Sequence, residues 1–152
     1  MNKAIVQSIR DSYNVLIGEL TAERLKAELA TSQHGTRESL EIKGRDLVSH
    51  APRTLEIKRD EVVAALAEPM SQIVSRVQHA LQEMPPETSA DIAERGILLV
   101  GGGSLIACLA EELKARTGLP VARGSSPLRA VVLGAGACLK DELLRTRLTG
   151  LY

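Results

Sequence analysis

The segment of this sequence best suited to hold a ligand is a run of three glycines and a serine, Gly101-Gly102-Gly103-Ser104. It lies between an apolar segment typical of a strand and a segment with helical spacing. Glycines allow a backbone to come close to a phosphate or a sugar, and a helix that begins there favours negative charge. The simpler interpretation is a tight turn that needs a positive φ angle. The run matches neither of the two common nucleotide-binding glycine motifs, so by itself it leaves both interpretations open.

A second candidate is the pair Glu23 and Lys26, which are three residues apart and therefore share one face of a predicted helix. A carboxylate can accept hydrogen bonds from two ribose hydroxyls, and a lysine stem can lie along an adenine ring. The alternative is a solvated ion pair worth only about 0.3 kcal/mol. Spacing alone favours the solvated ion pair, because charged helix faces are common.

Other chemistry-bearing residues show no pattern that predicts a site. The histidines are scattered and have no metal-ligand spacing: His34, His50 and His79. No serine or cysteine lies in a nucleophile-elbow sequence. Acidic pairs fall within predicted helices and are interpreted as solvated faces: Glu111-Glu112 and Asp141-Glu142. The cysteines, Cys108 and Cys138, lie in apolar stretches where cysteine behaves as a small hydrophobic residue. We therefore expect no metal site and no nucleophilic catalysis from these residues.

Composition excludes several classes of partner. Lys plus Arg and Asp plus Glu number 19 each, so no excess of positive charge attracts nucleic acid. The chain has two tyrosines and no phenylalanine or tryptophan, which leaves an aliphatic core and no platform for stacking bases. No apolar run approaches the roughly 20 residues that span a bilayer, and the first residues do not resemble a signal peptide. We expect a cytoplasmic chain without a membrane segment.

The first part of the chain alternates helical and strand patterns. Apolar residues recur at helical spacing near the start of the chain: Ile5, Ile9, Tyr13 and Leu16. In chain order we expect a helix over residues 2–17 ending at Gly18, a helix over Thr21–Ala30, a loop over Thr31–Thr36, and two strands at Leu40–Lys43 and Leu55–Lys58. The two strands are expected to pair antiparallel as a small, half-exposed sheet.

A long helix is predicted next, with Asp60 as its N-cap. Its apolar stripe comprises Val63, Leu66, Met70, Ile73, Val77, Leu81 and Met84. Pro69 interrupts the stripe, so we expect a kink or a break there. Pro85-Pro86 ends the element, and a short helix over Glu87–Glu94 leads to Gly96.

The last third of the chain has the pattern of a parallel sheet with connecting helices. The continuous apolar run over 97–100 predicts a strand buried on both faces. A helix over Leu105–Arg116 closed by Gly118, a strand over 119–122 and a final helix beginning at Ser126 or Pro127 are expected to follow. The small residues 134–137 of that final helix would allow close packing of backbones.

Taken together, these segments resemble the C-terminal half of the bacterial actin homologues of the MreB family. The landmarks occur in family order from about residue 2 to about residue 142, whereas the tail 143–152 matches no known pattern. The resemblance is carried by residues 16–26 (Leu-Ile-Gly-Glu-Leu-Thr-Ala-Glu-Arg-Leu-Lys), 42–47 with Pro52-Arg53, Glu68-Pro69, Pro85-Pro86-Glu87, 91–96, 98–105, 117–121 and Pro127-Leu128.

The resemblance implies an α/β fold, the second lobe of an actin-like (ribonuclease H-like) ATPase. Residues 1–18 and 68–152 would form its base subdomain, and residues 19–67 a small α+β outer subdomain. Only two strands of the base sheet are expected in this chain, and such a parallel remnant leaves an open edge. We therefore expect a domain less stable than its length suggests, or one that pairs with another chain.

The resemblance also assigns the site. Gly101, Gly102 and Gly103 would approach the nucleotide as its adenosine loop with Ser104 and Leu105 beside them, while Glu23 and Lys26 would hold ribose and adenine. The implied cofactor is ATP, with Mg²⁺ only if a complementary lobe is supplied. The family's phosphate loops and catalytic acids precede the matched region. Since phosphoryl transfer requires clamps on phosphate and metal, the resemblance leaves it uncertain whether this chain is an enzyme, and we expect weak ATP binding and no hydrolysis by the chain alone.

By the same resemblance, the function is that of a cytoskeletal filament protein that maintains cell shape. Its partners would be copies of itself or a full-length actin-like protein, with cell-shape membrane proteins as further candidates. One alternative is a non-enzymatic partner that binds or modulates full-length filaments. Another is half of a sugar kinase or chaperone, which the absence of recognisable sugar-site or peptide-domain sequence disfavours. A third is a gene fragment or a misassigned start codon.

Overall fold

A computed structural model describes residues 1–30 and 38–149, so the predicted loop Thr31–Thr36 and the end of the tail lie outside the described residues. The described elements are α1 (Asn2–Tyr13), β1 (Val15–Leu16), α2 (Glu19–Leu25) continued by a π-helical turn (Lys26–Ala30), β2 (Ser39–Asp46), β3 (Pro52–Lys58), α3 (Arg59–Gln82), α4 (Pro86–Arg95), β4 (Ile97–Leu99), a 3-10 turn (Gly102–Leu105), α5 (Leu109–Thr117), β5 (Val121–Arg123), a 3-10 turn (Pro127–Arg129), α6 (Ala130–Lys140) and α7 (Glu142–Thr149).

The first helix ends four residues before the predicted boundary. Asn14 adopts a left-handed conformation, with φ of 55°, and its N–H donates to the carbonyl of Arg10 at 3.0 Å. Asparagine tolerates this conformation, so it terminates the helix as glycine often does. Val15 is then free to pair with Asp46, and the short strand β1 replaces the last predicted turn of helix. As a result Leu16, the last residue of the apolar helical pattern, lies on the strand and is 37% exposed.

The two predicted strands are confirmed as an antiparallel pair, with Ile42 opposite Leu55. Strand β1 adds a third member, in the order β1-β2-β3. Gly44 of β2 lies where β1 crosses closest. A Cβ atom there would lie 2.4 Å from Cγ1 of Val15 and 2.8 Å from the carbonyl oxygen of Leu16. Glycine therefore makes the close approach of β1 and β2 sterically feasible.

Helix α3 begins at Arg59, so the prediction of Asp60 as N-cap is wrong. Lys58 holds that position, and its backbone N–H donates to Oε2 of Glu61 at 2.8 Å. The helix continues through Pro69, so of the kink or break predicted there, the break does not occur. Its buried residues are Val62, Leu66, Met70 and Val74. Leu66 and Met70 belong to the predicted stripe, and Ile73 and Val77 of that stripe pack partly buried against the core. Val62 and Val74 were not predicted, and they complete a buried face with four-residue spacing.

A separate two-stranded parallel sheet joins β4 to β5, with Leu98 opposite Ala122. Both strands were predicted, within a shift of a residue or two. Leu99 and Val121 pack against the core, but Leu98 is 65% exposed and Val100 45% exposed. The prediction of a strand buried on both faces is therefore wrong. Helix α5 contacts this sheet at β5, whereas the Leu98 face of β4 is left largely open to solvent within the described residues.

The helices that follow begin later than predicted. A 3-10 turn precedes α5, which starts at Leu109 rather than Leu105, and another precedes α6, which starts at Ala130. The predicted closure of α5 by Gly118 is confirmed, since this glycine is the left-handed C-cap with φ of 70°. Within the described residues, no helix has both the length and the hydropathy required to cross a membrane.

The hydrophobic core is one aliphatic cluster shared by the antiparallel sheet and the helices around it. Side chains of α1, α2, the π-helical turn and α3 meet there with β1, β2, β3 and α5. Its fully buried members include Ile5, Leu25, Leu29, Ile42, Ile57, Leu66, Ile106 and Leu113. Helix α6 contributes no buried side chain to this core.

Candidate functional site

The triple-glycine turn is fixed at its first residue. Gly101 has φ of 79° and ψ of 177°, a combination essentially restricted to glycine. Its N–H donates to the carbonyl of Pro127 at 2.8 Å, and its own carbonyl accepts from the hydroxyl of Ser104 at 2.7 Å. The turn is thus closed on itself and attached to the segment that leads into α6. The interpretation of the motif as a tight turn that needs a positive φ angle therefore applies to Gly101.

Gly102 and Gly103 have no such steric requirement. A Cβ atom at Gly103 would meet nothing within 4 Å, and one at Gly102 would meet only Cδ2 of Leu128, at 3.6 Å. Both residues are exposed. The fold therefore tolerates a side chain at these positions. A ligand that lies against the bare backbone would be displaced by such a side chain. This open face is the feature of the turn that suits a ligand.

Ser104 and Leu105 point inward. Ser104 is 3% exposed and Leu105 8% exposed. The Ser104 hydroxyl is engaged by the Gly101 carbonyl, which satisfies a buried polar group that would otherwise destabilise the turn. These two residues therefore shape the turn from within, and its outward surface consists of glycine backbone.

The two residues of the predicted pair, Glu23 and Lys26, have different surroundings. Glu23 is exposed on the last turn of α2. Lys26 begins the π-helical turn, and its Nζ donates to Oδ1 of Asn2 at 2.8 Å. Lys26 thereby joins this helix to the first turn of α1. Asn2 was not identified from the sequence, since no local spacing relates it to Lys26.

The two predicted segments meet at a backbone hydrogen bond. The N–H of Ala107, just beyond the triple-glycine turn, donates to the carbonyl of Ala30 at 3.0 Å. Ala30 ends the π-helical turn that begins at Lys26, and π-helical turns are frequent at functional sites. Ile106 and Leu29, adjacent to these two alanines, are buried in the common core. The glycine turn and the helix that bears Glu23 and Lys26 are therefore held as one unit.

The groups with shifted pKa values lie elsewhere. Hydrogen bonds from the backbone N–H groups of Ser49 and Val48, and from Arg53, lower the pKa of Asp46 to about 2. A hydrogen bond to Glu61 is the main cause of a raised pKa at Tyr13. Both arrangements support the turn after β2 and the start of α3. They are structural contacts and do not indicate an acid or base at the glycine turn.

No metal-binding group is formed within the described residues. In the ranges 1–30 and 38–149, no set of three or more His, Cys, Asp or Glu side chains converges in a way that could hold an ion. His34 lies outside these ranges. Cys108 contacts the sulfur of Met70 at 3.5 Å, in keeping with its predicted role as a small hydrophobic residue.

Comparison with known proteins gives consistent matches over almost the whole chain. A family model described as MreB/Mbl protein matches residues 1–146. The cell shape-determining protein MreB of Escherichia coli K12 is 41% identical over 140 residues, covering 91% of this chain and 40% of that protein. The cell shape-determining protein Mbl of Bacillus subtilis strain 168 is 40% identical over 152 residues, covering 95% of this chain and 44% of that protein.

Solved structures agree with these matches. MreB5 of Spiroplasma citri bound to AMPPNP superposes with a TM-score of 0.84 at 29% identity, covering 98% of this chain and 44% of that one. The same protein bound to ADP gives a TM-score of 0.84 at 30% identity, covering 97% and 45%. A MamK double helical filament, at 19% identity, a TM-score of 0.64 and coverage of 84% and 39%, shares the fold. The chain spans about 40% of the length of the MreB relatives that it matches.

Proposed function

Because the chain belongs to the MreB/Mbl family and has its actin-like fold, we propose that it acts as a cytoskeletal polypeptide in filaments that maintain cell shape. The observation that carries this proposal is the family match over residues 1–146. The relatives that support it are named for the determination of cell shape. Its proposed partners are copies of itself or longer members of the family, with cell-shape membrane proteins as further candidates.

The proposed ligand is the adenosine part of ATP. Structures of MreB5 are bound to AMPPNP and to ADP, which supports a nucleotide as the ligand of this chain as well. In our proposal the adenosine lies against the bare backbone of Gly102 and Gly103, where the space for a Cβ atom is open. Gly101 sets the direction of the turn, and Ser104 and Leu105 hold its shape from within.

Glu23 and Lys26 complete the proposed site from the other side. The carboxylate of Glu23 is exposed and suited to accept hydrogen bonds from ribose hydroxyls. Lys26 would exchange its bond with Asn2 for contacts with adenine, or lie along the ring while keeping that bond. The hydrogen bond from Ala107 to Ala30 supports this arrangement, because it fixes the position of the glycine turn relative to the helix.

The same proposal divides the chain into two parts that face the nucleotide. Residues 1–18 and 68–152 would form the base subdomain with the glycine turn, and residues 19–67 the outer subdomain with Glu23 and Lys26. In this proposal the glycine turn, Glu23 and Lys26 bind and orient adenosine. Phosphate contacts, Mg²⁺ and ATP hydrolysis are proposed only for a site completed by a complementary lobe.

Photolabelling with a reactive ATP analogue tests the proposed site, because covalent capture also reports weak binding. We expect the label, mapped by mass spectrometry, on the segments 101–105 and 23–26. We further expect Gly103→Ala to reduce labelling about tenfold, because its Cβ fills the space proposed for the ligand. The thermal midpoint should be unchanged, since that Cβ meets nothing in the fold.

Gly134→Ala is the matched control, because a Cβ there also meets nothing within 4 Å and the residue belongs to α6 and not to the turn. It should label like the unaltered chain. Glu23→Gln provides a second variant that retains size and helix propensity. Labelling that is unaffected by both Gly103→Ala and Glu23→Gln would refute the proposed site.

A further inference from the structure

A cleft lies between helices α1 and α3, beside the end of β3. We call it the α1–α3 cleft. It has a volume of about 180 Å³, and its apolar floor is formed by four side chains that are at most 4% exposed: Ile5, Ile9, Ile57 and Val62. An apolar cavity of about 150 Å³ is large enough for benzene. The cleft therefore has room for a small ring or a short branched chain, and it is too small for a molecule the size of a nucleotide.

Small side chains on the two helices keep the cleft open. Ser8 and Ser12 line it from successive turns of α1, because residues four apart share a helical face. Ala64 and Ala65 line it from α3. Larger side chains at these positions would fill the space, since protein interiors are normally close-packed. The cleft is thus a property of the sequences of both helices.

The end of the cleft where α1 finishes and α3 begins is polar. The hydroxyl of Tyr13 donates to Oε1 of Glu61 there, and Oε2 of Glu61 accepts the backbone N–H of Lys58 at 2.8 Å. An ionised carboxylate offers about four acceptor positions, so these two bonds leave it able to accept more. Among the described residues that line the cleft, Glu61 alone is charged. A ligand in the cleft therefore meets an apolar floor and one carboxylate.

We propose that the α1–α3 cleft is a second ligand site, which takes a small primary amine with an apolar ring or branched chain. The ammonium group donates to Glu61 while Tyr13 keeps its bond, and the apolar body lies on the floor of the cleft. A cation is favoured over a neutral ligand, because a charge-assisted hydrogen bond is about twice as strong as a neutral one. The bound amine joins α1 to α3.

This inference goes beyond the proposed function. None of the described residues that line the cleft belongs to the triple-glycine turn, and neither Glu23 nor Lys26 lines it. The chemistry also differs, since the cleft presents one carboxylate above aliphatic side chains, whereas the proposed adenosine site presents bare glycine backbone. The two sites can therefore be tested separately.

Titration of the full chain with cyclohexylmethylamine, followed by NMR, tests the cleft. Cyclohexylmethanol is the matched neutral probe, because it has the same ring and a hydroxyl in place of the ammonium group. We expect saturable shifts of the amide signals of Ser8, Ser12, Ala64 and Ala65, with a dissociation constant on the order of 1 mM for the amine. The alcohol should bind about tenfold more weakly.

Glu61→Gln tests the role of the charge. Glutamine keeps the length of the side chain and can still accept the N–H of Lys58 at the start of α3. This variant should bind the amine about tenfold more weakly and the alcohol as before. Asp60→Asn is the matched control, because Asp60 is an exposed carboxylate on the same turn of α3 and is not among the described residues that line the cleft. It should bind the amine like the unaltered chain.

Ala64→Leu tests the space without removing a polar contact. Ala64 is exposed and leucine is a good helix former, so the variant should fold, while its side chain fills the cleft and abolishes binding of both probes. Ala67→Leu, at another exposed alanine of α3, is the control and should leave binding unchanged.

Four results would overturn the inference. They are equal binding of the amine and the alcohol, equal effects of Glu61→Gln and Asp60→Asn, binding that survives Ala64→Leu, and amide shifts that lie outside the cleft. None of these measurements involves ATP, so a failure of the proposed adenosine site would leave them unaffected.

Discussion

Single residues with unusual backbone or steric requirements explain much of this chain. Gly101 supplies a conformation that side-chain-bearing residues rarely adopt, and Asn14 ends α1 in the left-handed region. The first was predicted in part, because a glycine run after an apolar strand indicates a turn. The second was not, because asparagine is also compatible with a helix interior. The helix ends at Asn14 because Val15 pairs with Asp46, a residue distant in sequence.

Asp46 gives a prediction at the residue scale. Its pKa in the folded chain is lowered from 3.8 to about 2, chiefly by N–H groups of Ser49 and Val48 that bond to the ionised form. A lowered folded pKa contributes stability above the ordinary pKa and loses it as the pH falls towards the folded value. We therefore expect Asp46→Asn to be less stable at neutral pH and to lose less stability between about pH 4 and pH 2.

Urea unfolding across this pH range measures the effect. Asp91→Asn is the control, because Asp91 is an exposed aspartate on α4. It should keep the pH dependence of the unaltered chain. If Asp46→Asn shows the same acid slope as Asp91→Asn, the hydrogen bonds to Asp46 do not contribute to stability as described.

At the scale of elements, the patterns with clear periodicity were predicted well. The alternation at Leu40–Lys43 and Leu55–Lys58 identified β2 and β3, because one face of that sheet is buried and the other is not. Strand β1 was missed because two residues cannot show a period. Helix α3 starts before its predicted cap Asp60, because Lys58 caps it instead. Helices α5 and α6 start later than predicted, because 3-10 turns occupy their predicted first turns.

Gly44 tests how β1 is held against β2. A Cβ atom there would clash with Cγ1 of Val15 at 2.4 Å and with the backbone oxygen of Leu16 at 2.8 Å. Because a backbone oxygen cannot move without shifting the strand, we expect Gly44→Ala to lower the free energy of unfolding by about 1–3 kcal/mol. Urea denaturation provides the measurement.

Gly134→Ala serves here as the comparison, because its Cβ is unobstructed and alanine favours helix. Its stability should be equal to or slightly above that of the unaltered chain. Equal stability of the Gly44 and Gly134 variants would contradict the tight crossing of β1 and β2.

At the scale of the whole molecule, the sequence pattern predicts that more apolar side chains are buried than the described residues bury. The apolar run over 97–100 predicts a strand covered on both faces, and α6 has the composition of an enclosed helix. Within the described residues only one face of β4 is covered. The apolar pattern fits a strand and a helix covered on more sides than the described residues cover them, so the predicted burial is wrong here although the strand itself was found.

The candidate site shows the same division between local and long-range information. The glycine turn and the spacing of Glu23 and Lys26 could be found in the sequence because each is a local pattern. The bond from Ala107 to Ala30, the anchoring of Gly101 by Pro127 and the contact of Lys26 with Asn2 could not. Those contacts depend on how the whole core folds.

Chemical-shift mapping by NMR tests most directly whether the glycine turn and the end of α2 face one adenosine. The labelled chain would be titrated with ATP, and in parallel with adenosine, up to millimolar concentration. We predict that the amide signals of Gly101, Gly102 and Gly103 and those of Glu23 and Lys26 shift together with a single binding curve. Signals that shift only in one of the two segments, or in neither while distant residues respond, would contradict the account.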